Sequence, residues 1–130
     1  MLIFGHRFVP SEPFYHITNV EDVLRTPPSS TIYFSFDEDN LDIVAHANAN
    51  FVNMALSVKD VTQLMFASAL NAKYIIVERE ICATAQEIAQ NYLFDAKILV
   101  TIQDDEEIEE MASLGVDGVV YPNAIIKITS

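Results

Sequence analysis

A short joint between a helical pattern and a buried strand recurs along this chain. A small or apolar residue and then a polar one precede each apolar run, and successive runs lie about 20 to 24 residues apart. Strands that alternate with helices at this spacing pair in parallel through right-handed crossovers. The repeat therefore predicts a single α/β domain over residues 1–130, with a parallel sheet of about five or six strands. The four joints are Ala49-Asn50-Phe51-Val52-Asn53-Met54, Ala72-Lys73-Tyr74-Ile75-Ile76-Val77, Ala96-Lys97-Ile98-Leu99-Val100 and Val116-Asp117-Gly118-Val119-Val120.

Helical patterns fill the intervals between the predicted strands. Ser57 and Gln103-Asp104 stand at positions that suit helix N-caps. Gly115 follows the last helical pattern, where a glycine in the left-handed conformation ends a helix. The acidic run that starts at Asp104 is predicted in a first helical turn, where the helix dipole favours anions. The predicted helices are Glu38 to Ala47, Val58 to Leu70, Glu80 to Tyr92 and Asp104 to Leu114.

The predicted strands are apolar at nearly every position, which is typical of a sheet that is covered on both faces. Two architectures satisfy this pattern. One is an open, doubly wound sheet between two helical layers, which gives a three-layer domain. The other is a partial (βα) barrel, and periodicity does not choose between them.

The first 30 residues read differently from the rest. Leu2-Ile3-Phe4 is a short apolar strand, and Pro10 and Pro13 then interrupt any regular element. Thr18 and Glu21 have the spacing of a capping box, which predicts a short helix over Val20 to Arg25. We therefore expect an irregular N-terminal segment with one short helix.

Charge narrows the range of partners. The chain has 19 acidic and 7 basic residues and a net charge of -12, which repels nucleic acid and anionic membrane surfaces. It has no long apolar run, and His6 and Arg7 interrupt the start of the chain where a signal peptide is apolar, so we expect a cytoplasmic protein. Three glycines form neither a GxGxxG motif nor a P-loop.

The residues that follow each strand are the candidates for a site, because both architectures bind ligands at the carboxyl ends of their strands. Arg7, Lys59 and Arg79 fall on this edge and suggest a site for a small anion. The alternative is that Lys59 and Arg79 pair with neighbouring acids such as Glu78.

A second hypothesis concerns a divalent metal. His6, Asp37 and Glu78 also follow strands, and carboxylate oxygens with a histidine suit such an ion. No local spacing in the sequence supports this arrangement. The leading interpretation therefore includes no cofactor, and the metal belongs to the alternative.

Two stretches resemble known families. Phe4-Gly5-His6-Arg7 with Ser11-Glu12-Pro13 resembles the opening of glycerophosphodiester phosphodiesterases, and Leu114 to Val120 is similar to their last barrel strand. This resemblance implies a metal-dependent phosphodiester hydrolase with His6 as the catalytic histidine and Asp37 as a metal ligand. Ala96 to Val100 with Met111 to Gly118 is similar to the end of receiver domains, although the acidic residues of a phosphoacceptor site are missing.

The pattern over Val58 to Leu70 is apolar over a wide arc, since Phe66 and Leu70 point away from the face of Val61 and Leu64. Such a helix is buried on both sides, which suggests a homo-oligomer, most simply a dimer. The alternative is that Phe8, Phe14 and Tyr15 cover the second side within one chain. Together these features predict a non-enzymatic binding or regulatory module that self-associates and binds a small anion.

Overall fold

The computed structural model describes residues 1–128, which form eight strands and five α-helices. Three single turns of 3₁₀-helix within the same residues precede α2, α4 and the last strand. In chain order the elements are β1 (Leu2–Phe4), β2 (Phe14–His16), α1 (Val20–Val23), β3 (Thr31–Ser35), α2 (Leu41–Ala49), β4 (Asn53–Ser57), α3 (Val61–Ala69), β5 (Tyr74–Val77), α4 (Cys82–Asn91), β6 (Lys97–Thr101), α5 (Glu107–Leu114), β7 (Gly118–Val120) and β8 (Ile125–Lys127).

The strands form one parallel sheet in the order β1-β7-β6-β5-β4-β3-β2-β8. From β2 to β7 each strand lies beside the one before it, always in the same direction. Because crossovers between parallel strands are right-handed, such an order places every connecting helix on the same face of the sheet. The buried side chains of α1 to α5 accordingly share one apolar core with the helix-facing side of the strands.

The other face of the sheet is covered by its own curvature. Phe4 on β1 and Phe14 on β2 lie six strands apart, which would separate them by about 29 Å in a flat sheet. Their ring centroids are 4.8 Å apart, and the ring of Tyr74 on β5 lies 5.4 Å from Phe4 and 5.3 Å from Phe14. The sheet therefore curls into a partial barrel with an aromatic interior, distinct from the core beneath the helices.

The structure confirms the α/β class, the parallel sheet and the repeated strand-helix unit. Of the two architectures that the sequence left open, it has the partial barrel. The described residues form eight strands instead of five or six, because β2 and β8 also join the sheet. Both are three residues long, and they pair with each other in the register Phe14 to Ile125.

The N-terminal segment is more regular than its sequence predicts. Its residues 14–16 form β2, which pairs with β3 as well as with β8. The short helix α1 begins at Val20, as predicted, and ends at Val23 instead of Arg25. Its cap is Asn19 and not Thr18, because the Asn19 side chain accepts a hydrogen bond of 2.9 Å from the Asp22 backbone N–H. The Asp22 carboxylate in turn accepts hydrogen bonds from the backbone and hydroxyl of Thr18. The last two residues of the predicted domain lie outside the described range.

The four longer helices, α2 to α5, begin two or three residues later than predicted. α3 starts after Asp60, whose side chain caps it by accepting a hydrogen bond of 2.8 Å from Gln63 N–H, so Ser57 is not the cap. Val58 instead continues the pairing of β4 with β5, since its N–H donates to the Ile76 carbonyl. α5 starts at Glu107 and not at Asp104, and it ends at Gly115 in the left-handed conformation, as predicted.

Gly5 lets the two edges of the curled sheet approach each other. It has a φ of 89°, and a Cβ at this position would lie 2.9 Å from the Ala124 Cβ and from the Asn123 side-chain oxygen. Tyr121 N–H donates to the Phe4 carbonyl at 2.9 Å. The segment that enters β8 at one edge of the sheet thus lies against the end of β1 at the other edge.

No helix within residues 1–128 is long and apolar enough to cross a membrane.

We expect Phe14→Ala to lower the free energy of unfolding by about 3–5 kcal/mol, because the ring is fully buried inside the barrel and its loss leaves a cavity. Urea denaturation monitored by circular dichroism measures this change. The matched control is Phe8→Ala, which removes a ring that is 73% exposed and should change stability by less than about 1 kcal/mol. A small effect of Phe14→Ala would place the segment outside the barrel.

Candidate functional site

A histidine, an aspartate and a tyrosine meet at the carboxyl-terminal edge of the barrel. The strands that carry them are neighbours in the order β1-β7-β6, so the residues that follow these strands come together. His6 Nε2 lies 3.1 Å from Asp105 Oδ1, and the Tyr121 hydroxyl donates to the same oxygen at 2.6 Å. His6 and Asp105, with Ile3, Phe8, Val9 and Ile108, line a shallow cavity of about 210 Å³.

The hydrogen bonds of His6 fix its neutral tautomer. The backbone N–H of Phe8 donates to His6 Nδ1 at 3.1 Å, so this nitrogen is an acceptor. The proton of the neutral ring therefore lies on Nε2 and is donated to Asp105. Both ring nitrogens are engaged, and the rings of Phe8 and Tyr121 pack on the imidazole at 4.9 and 5.3 Å. The ring is held in place, and it would have to give up a hydrogen bond to act as a general base.

The electrostatics of the cluster follow from these bonds. The hydrogen bond from Tyr121 is the main cause that lowers the pKa of Asp105, and the hydrogen bond from His6 and the nearby charge of Arg7 act in the same direction. Burial raises the pKa of Tyr121 to about 12, and the hydrogen bond to Asp105 adds to this effect. At neutral pH the cluster therefore holds an ionised carboxylate against a protonated phenol.

The three predicted anion-binding residues have different surroundings. Arg79 forms ion pairs with Glu107 at 2.8 Å and with Glu110 at 3.0 Å, both on α5, whereas the sequence suggested closer neighbours as its partners. The Arg7 guanidinium lies 4.8 Å from the centre of the Phe8 ring. Lys59 follows β4, and its backbone N–H donates to the Gln63 side chain. Arg79 is thus paired with carboxylates of α5, whereas Arg7 lies beside an aromatic ring.

The structure does not gather the predicted metal ligands. Asp37 accepts a hydrogen bond of 2.9 Å from Asp39 N–H and caps the 3₁₀ turn Glu38–Asn40. Glu78 is exposed at the end of β5, and His6 contacts Asp105. Within residues 1–128 no three His, Cys, Asp or Glu side chains are placed to hold a metal ion together.

Sequence reasoning missed the partners of His6. Asp105 lies in an acidic run that the helix dipole accounts for, and Tyr121 follows the predicted strand that ends at Val120. Their proximity depends on the pairing of β1 with β7, the first strand with the seventh. A signal was present in the barrel alternative, because a curled sheet brings the first strand beside the last strands of the repeat.

An apolar surface lies between α2 and α3, which we call the α2–α3 patch. It is lined by Phe36, Glu38, Leu41, Phe66, Ala69 and Leu70 around a cavity of about 390 Å³. Phe66 is 52% exposed and stacks on Phe36 with ring centroids 6.0 Å apart. Two residues of the alternative N-terminal cover lie elsewhere, since Phe14 fills the barrel and Phe8 packs on His6.

A second apolar surface lies at the opposite, amino-terminal edge, where each helix returns to the sheet. Phe51, Asn71, Leu93 and Gly115 occupy equivalent joints before β4, β5, β6 and β7, and each has a positive φ between 54° and 74°. Asn and Gly accept this left-handed conformation, whereas for Phe and Leu it costs about 1–2 kcal/mol. Phe51 and Leu93 are nevertheless among the most exposed large apolar side chains, at 94% and 84%.

The fold and its polar edge define a curled parallel α/β domain, an architecture in which ligands bind at the carboxyl ends of the strands. No family model and no curated protein matches this chain.

We expect Tyr121→Phe to raise the pKa of Asp105 toward the ordinary carboxyl range, because the variant removes the hydrogen bond that lowers it most. A pH titration of the Asp105 carboxyl carbon by NMR measures this change. Since the folded pKa is below the unfolded one, the cluster stabilises the fold above the unfolded pKa of Asp105, and this contribution is lost as pH falls through the folded pKa. Tyr121→Phe should weaken that acid dependence.

Tyr92→Phe is the matched control, because Tyr92 is 68% exposed and distant in sequence from the cluster. It should leave the Asp105 titration unchanged. An Asp105 pKa that does not move in Tyr121→Phe would mean that the 2.6 Å hydrogen bond does not persist in solution.

Proposed function

We propose that this chain is a non-enzymatic binding module that self-associates through exposed apolar side chains. The observation that carries the proposal is the exposure of large apolar side chains on two surfaces. Phe66 and Leu41 in the α2–α3 patch are 52% and 45% exposed, and Phe51 and Leu93 at the amino-terminal edge are 94% and 84% exposed. Large apolar side chains that are grouped on one surface are typical of protein contacts. Phe8 and Phe14, two of the three aromatic residues in the alternative cover for α3, have other partners inside the same chain.

The polar cluster supports a binding role over a catalytic one. His6 is engaged through both ring nitrogens, and the acidic residues that the hydrolase alternative needs are dispersed. A metal-dependent hydrolase needs its ligands and its acid or base within reach of one substrate position. The arrangement of Asp37 and Glu78 does not favour that chemistry.

We expect static light scattering of the purified chain at micromolar concentration to give a mass above one chain. The mass should increase with salt, because two copies of a chain with a net charge of -12 repel each other and salt screens this repulsion. Dilution provides the control, since a reversible assembly dissociates. A monomer at every salt concentration would contradict the proposal.

A small anion at the carboxyl-terminal edge is the second part of the proposal. Arg7 and Lys59 are its cations, because Arg79 is already paired with Glu107 and Glu110. Neither Arg7 nor Lys59 has an ion pair of 4.0 Å or less within residues 1–128. An anion at this edge would contact them without first displacing a carboxylate.

We expect inorganic phosphate to raise the melting temperature, since a ligand that binds only the folded state at ten times its Kd stabilises it by about 1.4 kcal/mol, or roughly 5 °C. Arg7→Ala should abolish this shift. Arg79→Ala is the matched control and should retain it, because its guanidinium is occupied by two carboxylates. The anion site is rejected when phosphate and chloride at equal ionic strength have the same effect.

A further inference from the structure

We propose that two copies of this chain pair through their amino-terminal edges, with Phe51 and Leu93 of each copy at the contact. This inference rests on the proposed self-association and names the surface that mediates it. The surface, called here the amino-terminal edge, consists of the helix-to-strand joints and the residues beside them. Its exposed apolar members are Leu24, Phe51, Tyr92 and Leu93.

The choice of residues at the joints points to a contact outside the chain. Phe51 and Leu93 have φ angles of 56° and 54°, a conformation that suits Asn71 and Gly115 at the equivalent joints but not large apolar residues. Side chains that are 94% and 84% exposed make little use of the chain's own core. Within the described chain, no burial of these side chains compensates for the cost of their positive φ angles. Burial of both side chains against a partner would compensate for that cost and would remove their apolar surface from water.

The same edge carries recesses beside its apolar projections. A groove of about 460 Å³ lies beside Phe51 and includes Leu24, Pro27 and His46. A second groove of about 570 Å³ lies beside Leu93 and includes Tyr92 and Lys73. A two-fold contact uses one surface on both copies, so it needs projections and recesses on that same surface. The amino-terminal edge supplies both.

Charge favours this edge for a contact between two copies. At the amino-terminal edge the basic residues Arg25, Lys73 and Lys97 balance the acidic residues Glu12, Asp95 and Asp117. The opposite edge is strongly acidic. The segments 5–8, 36–42, 58–62, 78–81 and 102–110 on that side contain Arg7, Lys59 and Arg79 as cations, against Asp37, Glu38, Asp39, Asp42, Asp60, Glu78, Glu80, Asp104, Asp105, Glu106, Glu107, Glu109 and Glu110.

Distance determines how strongly these charges oppose pairing. A five-residue strand is about 16 Å long, so pairing through the amino-terminal edges keeps the two acidic edges roughly 30 Å apart. That is about three Debye lengths at 0.1 M salt, and the repulsion is largely screened. Pairing through the α2–α3 patch would instead bring together Glu38, which lines it, and its acidic neighbours Asp37 and Asp39.

The test is the double variant Phe51→Asn with Leu93→Asn, examined by light scattering and thermal denaturation. We expect it to be monomeric at concentrations where the unmodified chain is assembled, with at least a tenfold weaker association. Asn accepts a positive φ, so the monomeric fold should remain intact, with its circular dichroism spectrum unchanged. Phe66→Ser in the α2–α3 patch is the matched control and should leave the assembly unchanged.

A cross-linking experiment tests the same contact without removing it. Cys82 is buried, so the unmodified chain should not react with a short bismaleimide. An equimolar mixture of Phe51→Cys and Leu93→Cys chains should give a covalent dimer, because at a two-fold contact each of these residues meets either its own equivalent or the other residue on the partner copy. Phe66→Cys should give none.

The outcomes separate the two proposals. An unmodified chain that is monomeric would overturn both self-association and the edge contact. An assembly that survives in the double variant but dissociates in Phe66→Ser would overturn the edge contact alone and assign the interface to the α2–α3 patch. A double variant that stays assembled, together with no cross-linked dimer from the mixture of Phe51→Cys and Leu93→Cys chains, would also overturn it.

Discussion

The direction in which the strands advance controls the rest of this structure. From β2 to β7 each right-handed crossover moves the chain one strand further, so α1 to α5 lie on one face. The opposite face of the sheet also carries apolar side chains and has no helical layer among the described residues. Its side chains are buried because the sheet curls until Phe4, Phe14 and Tyr74 meet inside it.

The repeated joints allowed much of this architecture to be predicted from the sequence. The runs that begin at Tyr74 and Ile98 are β5 and most of β6, and the helical patterns that precede these two runs are α3 and α4 with altered ends. The observed helix ends differ from the predicted ones because neighbouring polar side chains can each act as the cap of the same helix. Asp60 competes with Ser57 as the cap of α3, and only the extension of β4 through Val58 decides between them. Periodicity carries no information about that competition.

What could not be predicted depends on contacts between distant parts of the chain. β2 and β8 are three residues long, too short for an alternating pattern, and they are strands because Phe14 and Ile125 pair across a large interval of sequence. The contact of His6 with Asp105 likewise follows from the pairing of β1 with β7. The position of His6 at the end of a strand was correctly predicted, but its partner depends on sheet order, which periodicity does not specify.

The polarity of the repeat also explains why the two edges differ so strongly in charge. Helices begin at the carboxyl-terminal edge, where free backbone N–H groups and the helix dipole favour carboxylates such as Asp37 and Asp60. Helices end at the other edge, where left-handed joints project single side chains into solvent. A large share of the net charge of -12 therefore arises from helix starts on one side. That charge does not prevent apolar contact at the amino-terminal edge, where Phe51 and Leu93 lie.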